Sequence, residues 1–248
     1  MVSILPDMLV QLFSKLITFL GNHILKRTAT RDYGQLDSKP VNWGGQPPLV
    51  VFILGPPGAG KETHSKRLRR DFPGLTHLSY GDALRYQASI PASWVSMFPR
   101  RGGGVDGDPV LPAPDAVLLL REMMESGVAR GQRMWLIDGF PRTKEHMDAW
   151  DDARMPRARC TLFLECDGRV LVDRILGRAA TSGRPDDADV GKVRERVQRN
   201  MKASDAMLRA CRDCDVPVTN IDANRDLDVV YKDIRKHFEK IRAEGGRI

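Results

Sequence analysis

A chain of 248 residues, 42% of them hydrophobic and 29% charged, is long enough to fold as one large or two small domains around a substantial core. Its composition is that of an ordinary soluble protein. A formal charge of +7 and a sequence pI of about 9.4 fit a polyanionic partner, which leaves nucleic acid, an acidic membrane surface and a small phosphorylated substrate open. Four cysteines, Cys160, Cys166, Cys211 and Cys214, without a signal-peptide layout favour free thiols in a reducing compartment over a disulfide framework.

In chain order, residues 1–27 come first. Leu5, Met8, Leu9, Leu12, Phe13, Leu16, Ile17, Leu20 and Ile24 recur at helical steps with polar residues between them, which predicts an amphipathic helix. It is interrupted too often to span a bilayer. Such a helix would lie on a membrane, dock on the globular body or serve as an organelle-targeting presequence, and the pattern leaves all three open. Residues 28–48 turn polar with Gly and Pro and read as a linker.

From Leu49 the pattern changes. Leu49–Leu54, LVVFIL, is a continuous apolar run typical of a parallel strand buried on both faces. Comparable runs at Trp135–Ile137, Thr161–Glu165 and Val216–Ile221 alternate with helical spacing over Lys61–Arg70, Asp115–Glu125, Lys192–Cys211 and Asp226–Ile241. Strands alternating with helices predict an α/β fold of three layers, a parallel sheet with helices on both faces. Ligands of such sheets bind beyond the carboxyl ends of the strands. The Gly- and Pro-rich stretch between Ser89 and Pro114 reads as an inserted lobe. Cys211-x-x-Cys214 has no second pair or His cluster at ligand spacing, so a structural reading outweighs a metal or redox one.

Gly55–Lys61, GPPGAGK, fits G-x-x-x-x-G-K directly between a buried strand and a basic amphipathic helix. Gly55, Pro56, Pro57, Gly58, Ala59, Gly60, Lys61, Glu62 and Thr63 then form a phosphate cradle. Glycines let backbone N–H groups converge on phosphate oxygens, the helix N-terminus adds its positive end, and Lys61 reaches the β- and γ-phosphates. The hydroxyl that helps hold Mg²⁺ arrives as Thr63, one place later than usual, and Glu62 takes its place.

These residues carry a family resemblance. G-x-P-G-x-G-K-x-T resembles the loop of the nucleoside-monophosphate kinases, the adenylate and uridylate-cytidylate kinases. LSYGDALR (Leu78–Arg85) resembles the family segment that ends in an arginine gripping the acceptor phosphate, and LPAPDAVLLLREM the segment leading into the next core helix. WLIDGFPRT (Trp135–Thr143) is similar to the family's strand-end motif, and RILGRAATSGRPDD (Arg174–Asp187) to its short lid. The resemblance runs from about Leu49 to Phe238. It implies a P-loop NTPase fold and an ATP-dependent phosphotransferase acting on a nucleoside monophosphate with Mg²⁺. The kinase domain would span 49–243, with an acceptor-binding lobe at about 80–114 and a short lid at about 178–190. An extension of 1–48 would precede it and a tail of 244–248 follow. A monomer without nucleic-acid contact is implied, cytoplasmic, with mitochondrial or nuclear location as alternatives.

Phosphoryl transfer asks the protein to align two phosphates, exclude water and spread positive charge over the transferring group. Arginine suits this because its planar fork bonds phosphate bidentately and stays charged. By resemblance, Arg85 and Arg142 take the acceptor phosphate, with Tyr80, Val110, Gly139 and His146 completing the acceptor site. Lys61, Arg142, Arg178, Arg184 and Arg196 act on the transferring group, and Arg174 on the ATP. Asp138 would hold Mg²⁺ through water, with Thr63, and Asp186 and Asp187 would organise the closed lid.

Several positions depart from the family. Glu62 stands where glycine is usual, and is expected to turn to solvent or to Lys66, leaving the cradle usable. Tyr80 stands where adenylate kinases have Thr and uridylate-cytidylate kinases Ala. His146 stands where a base-reading Gln or Asn is expected, and reads the base or sits on a helix surface. Trp150, LLREM and the IDA ending at Ala223 are closer to the uridylate-cytidylate kinases of pyrimidine biosynthesis. An AMP acceptor, or a nucleotide-binding module without transfer activity, stays open beside that reading. An extra residue before Arg196 makes Arg194 a competing assignment, and Ser89–Val105 matches the family's acceptor-binding helices poorly.

Overall fold

The computed structural model of the chain describes residues 43–91, 93–100, 108–178 and 189–245. The helix expected at 1–27, together with Arg184, Asp186 and Asp187, lies outside the described residues. Those described fall into two compact units, one of residues 84–111 and one of 43–83 with 112–245.

The larger unit is built on a five-stranded sheet in the order β2-β3-β1-β4-β5, with every pair parallel. Its strands are β1 (Leu49–Leu54), β2 (Leu75–Ser79), β3 (Met134–Asp138), β4 (Ala158–Glu165) and β5 (Val218–Asp222). The helices are α1 (Lys61–Asp71), α2 (Tyr80–Ser89, which crosses into the smaller unit), α3 (Ala113–Ala129), α4 (Lys144–Asp152), α5 (Gly168–Gly177), α6 (Val190–Asp213) and α7 (Leu227–Gly245).

Every residue of the central β1 is buried, which its unbroken apolar run requires. Alternate side chains leave opposite faces of the strand. Val51 and Ile53 join a core with Leu68 of α1 and Phe72 at its C-cap, Leu171 of α5 and Phe238 of α7. Phe52 faces the other way, with its ring centroid 6.0 Å from that of Phe140 and 5.5 Å from that of Trp150. Each such side chain contributes about 1.5–3 kcal/mol by leaving water, so β1 is the rigid axis to which the following loop is fixed.

The expected strands at 135–137 and 161–165 lie inside β3 and β4. The one expected to begin at Val216 begins at Val218 instead, because the Val216 N–H closes the end of α6 on the Cys211 carbonyl at 2.9 Å. The elements that carried no clear period in the sequence include β2, α4 and α5. β2 is an edge strand of only five residues, three of them partly exposed, and α4 and α5 are short helices of nine and ten residues.

The end of the expected linker belongs to the body. Trp43 is buried, and the Arg133 guanidinium donates to the carbonyl oxygens of Trp43, Gly44 (3.1 Å) and Gln46 (3.3 Å). Leu49 N–H bonds the Arg133 carbonyl at 2.8 Å. Residues 43–46 are therefore fixed at the amino ends of β1 and β3. Among the described residues, no helix is long and apolar enough to cross a membrane.

The smaller unit holds the end of α2, a 3-10 turn at Trp94–Met97 capped by Ser93, and an antiparallel bridge between Arg100 and Pro109. Arg100 also donates to the Ala88 carbonyl at 3.3 Å. Within the described part of Ser89–Val105, the chain forms one turn of 3-10 helix at Trp94–Met97.

Candidate active site

The loop after β1 owes its path to glycine. Gly55 and Gly60 have φ of 145° and 93°, values that side-chain-bearing residues rarely adopt. A Cβ on Gly55 would sit 2.7 Å from the Leu164 carbonyl oxygen. Gly60 is also the N-cap of α1 and supplies no side-chain cap, so the positive end of the helix is presented to an anion. Lys61 lies back across this loop, its Nζ donating to the carbonyl oxygens of Gly55 at 2.8 Å and Pro56 at 3.2 Å. Glu62 turns away, as expected, with Oε1 2.7 Å from Lys66 Nζ in an exposed pair one helical turn on.

Beside the loop lies a cleft of about 260 Å³ whose walls include Gly58, Gly60, Thr63, His64, Arg174, Arg178 and Arg225. Arg174 reaches it from the last turn of α5, and its Nη1 donates to the Ala223 carbonyl at 2.9 Å. Arg178 caps the same helix. Arg225 is held by Asp233 at 2.7 Å. The structure thus brings the phosphate loop, Arg174 and Arg178 together at the carboxyl end of the sheet, where α/β folds bind ligands.

His64 was not singled out by the sequence, although its place four residues after Gly60 folds it back over the loop. It is only 2% exposed and stacks on Tyr231 with ring centroids 6.2 Å apart and 3° between planes. The Tyr231 hydroxyl donates to Asp71 at 2.6 Å. Burial, followed by the charges of Arg67 and Arg174, pushes the His64 pKa down to about 4. Burial and the bond to Asp71 push Tyr231 up to about 12.

Beyond β3, Arg142 is seated from three sides. Its guanidinium lies 4.7 Å over the Tyr80 ring, its Nε donates to the Gly139 carbonyl at 3.1 Å, and its backbone N–H donates to His146 Nδ1 at 3.0 Å. Thr143 caps α4 by accepting the His146 N–H. Tyr80 and His146 are 2% and 7% exposed, and both rings meet Phe140, at 5.7 and 5.0 Å between centroids. His146 is therefore not a surface histidine. Burial first and the Arg142 charge second push its pKa down to about 4, which keeps Nδ1 an acceptor. What either ring offers a ligand is confined to its small exposed fraction.

Asp138 ends β3, paired in register with Ile53 of β1. Its Oδ2 lies 3.7 Å from His77 Nε2, beyond hydrogen-bonding range. Mg²⁺ takes oxygen ligands and keeps several waters, so it is commonly held by one or two carboxylates plus phosphate. The Asp138 carboxylate and the exposed Thr63 hydroxyl suit that donor set. Among the described residues no group of three or more His, Cys, Asp or Glu could hold a metal.

In the smaller unit, Arg85 Nη1 lies 3.1 and 3.4 Å from the two oxygens of Asp108, a partner the sequence did not suggest. Val110 is exposed, and its N–H bonds the Pro99 carbonyl at 2.9 Å. Arg194 and Arg196 stand two residues apart on α6, hence on opposite sides of it; Arg196 is half-buried and Arg194 exposed. The four cysteines are free, and burial pushes each thiol pKa up.

Comparison with known proteins gives a consistent picture. The family model for adenylate kinase matches residues 53–213. The UMP-CMP kinase of Rattus norvegicus is 33% identical over 197 residues, covering 78% of this chain and 98% of that protein. The human UMP-CMP kinase is 32% identical over 197 residues with the same coverage. The uridylate kinase of Schizosaccharomyces pombe is 31% identical over 190 residues, covering 77% and 97%.

Proposed function

The chain belongs to the adenylate kinase family, and we propose that it passes the γ-phosphoryl group of ATP to UMP or CMP, giving ADP and the nucleoside diphosphate. The observation that carries the reading is the glycine cradle at the end of β1, with Lys61 laid across it and Arg174 and Arg178 on the adjoining wall. The pyrimidine acceptor is supported by the relatives, which align over nearly their whole length and are named for UMP, CMP or uridylate.

In the reaction, the donor phosphates lie on the loop, and Lys61 exchanges the carbonyls of Gly55 and Pro56 for β- and γ-phosphate oxygens. Arg85 and Arg142 hold the acceptor phosphate, with Tyr80, Gly139 and His146 fixing Arg142, and the exposed Val110 completes the acceptor site. An acceptor oxygen bonds to the γ-phosphorus as the bond to the β-γ bridging oxygen breaks, and ADP leaves without a covalent enzyme intermediate. Arg178, Arg184 and Arg196 spread the developing charge. Asp138, through water, and Thr63 would hold the Mg²⁺ that accompanies ATP, which would supply positive charge to the phosphate oxygens. The lid at 178–190 and the lobe at 80–114 close, because an open site would let water take the phosphoryl group. The chain acts as a monomer in the cytoplasm; fractionation of full-length chain against chain lacking residues 1–27 distinguishes this from an organelle or membrane address.

The test is acceptor-dependent ADP release from MgATP with UMP, CMP, dCMP, AMP and GMP in turn. UMP and CMP are expected to be preferred, and Lys61→Met to lower turnover by about a hundredfold or more. Preference for AMP would overturn the pyrimidine assignment. Donor binding without acceptor-dependent release would overturn the kinase.

A further inference from the structure

His64 has no place in the mechanism above, yet its surroundings assign it one. Four residues after Gly60 on α1, it folds back over the loop so closely that a Cβ on Gly60 would lie 3.2 Å from its Cδ2 and Nε2. That edge of the imidazole therefore rests against the phosphate cradle. The opposite edge is dry: among the described residues Nδ1 has neither solvent contact nor a hydrogen-bond partner.

A buried N–H without an acceptor is costlier and rarer than an unused lone pair. The ring therefore leaves Nδ1 bare and carries its proton on Nε2, the nitrogen beside the loop. Its orientation is fixed from behind: it stacks on Tyr231, whose hydroxyl is tied to Asp71 at 2.6 Å and whose ring carries the Arg67 guanidinium at 5.4 Å. The result is an uncharged, rigidly held donor in the wall of a cleft otherwise armed by the arginines 174 and 178.

We propose that His64 is a donor-nucleotide-binding residue whose Nε2–H bonds a phosphate oxygen of ATP or ADP, with Tyr231 and Asp71 as its positioning residues. The inference rests on the cleft being the ATP site. It differs from the arginine contacts in kind. A fixed neutral donor rewards geometry more than charge, so it selects a correctly placed nucleotide over any polyanion.

Two measurements test it. In ¹⁵N-labelled protein, His64 is expected to show the Nε2–H tautomer, and ADP is expected to shift that nitrogen far more than Nδ1. An Nδ1–H tautomer, or an Nε2 signal indifferent to ADP, overturns the proposal even if every variant misfolds. In kinetics, His64→Phe keeps an aromatic ring on Tyr231 but removes the donor; it is expected to raise the KM for MgATP about tenfold, with a smaller effect on kcat. His64→Gln, which restores an N–H, is expected to recover most of that loss. Equal KM values in wild type and His64→Phe would overturn the proposal. A wild-type chain that shows the ADP shift but transfers nothing would instead overturn the kinase reading and leave His64 in place.

Discussion

Glu62 and Asp108 show how single carboxylates can sit beside a phosphate site with opposite consequences. Glu62 follows the cradle lysine, but its charge is spent on Lys66 in solvent, where such a pair is worth about 0–1 kcal/mol. Glu62→Gly is therefore expected to change the Kd for ATP by less than about fivefold; calorimetry that found a hundredfold gain would mean the carboxylate faces the phosphates. Asp108 instead pairs with Arg85, the arginine proposed to take the acceptor phosphate. A substrate phosphate has to displace it, so Asp108→Asn is expected to lower the acceptor KM about threefold, the scale of a partly exposed ion pair, and to leave the KM for ATP alone. A raised acceptor KM would show that Asp108 helps binding rather than competing with it. Neither Asp108 nor His64 was legible as a site residue, because each acquires its role from a neighbour that only folding supplies.

At the scale of elements, the turn from β3 into α4 depends on an uncharged histidine. His146 accepts the Arg142 N–H through Nδ1, which protonation at that nitrogen would forbid. Its pKa is about 4 in the folded chain against an ordinary 6.5, so between these values the unfolded chain binds the extra proton. Stability from this group is complete above pH 6.5 and is lost as pH falls toward 4, at about 1.4 kcal/mol per unit. Denaturant unfolding of wild type and His146→Gln at pH 6.5 and 5.5 is expected to show a pH-dependent loss larger in wild type by about 1 kcal/mol, since the unfolded chain is already half-protonated at pH 6.5. Parallel slopes would mean that His146 is protonated without penalty. The elements themselves were legible where burial is continuous, as in LVVFIL, or helical period is long, as in α6 and α7. β2 escaped because an edge strand carries few apolar residues, and the seat of Tyr80 under Arg142 escaped because it joins residues 62 positions apart.

Across the whole molecule, the sheet separates two functions. Its carboxyl end presents the glycine-rich loop, Asp138 and the cleft proposed to take ATP, while its amino end binds residues 43–46 through Arg133. The chain entering β1 is thus anchored away from the chemistry. Removal of residues 1–40 is expected to leave kcat/KM within about twofold, since the contacts that seat Trp43 are retained; a loss of tenfold would give the N-terminal extension a part in catalysis. Fold class, the cradle and the order of the arginine-bearing motifs were readable because they depend on short-range spacing. The cleft behind Gly60 was not, since it arises from packing between distant segments.

The central claim is direct transfer between two bound nucleotides. Its most direct test is to incubate the chain with Mg²⁺, γ-³²P-labelled ATP and UMP, then separate nucleotides, free phosphate and protein. The account predicts label in UDP alone, with formation dependent on UMP. Label retained on the protein, or released as phosphate with UDP unlabelled, would contradict it.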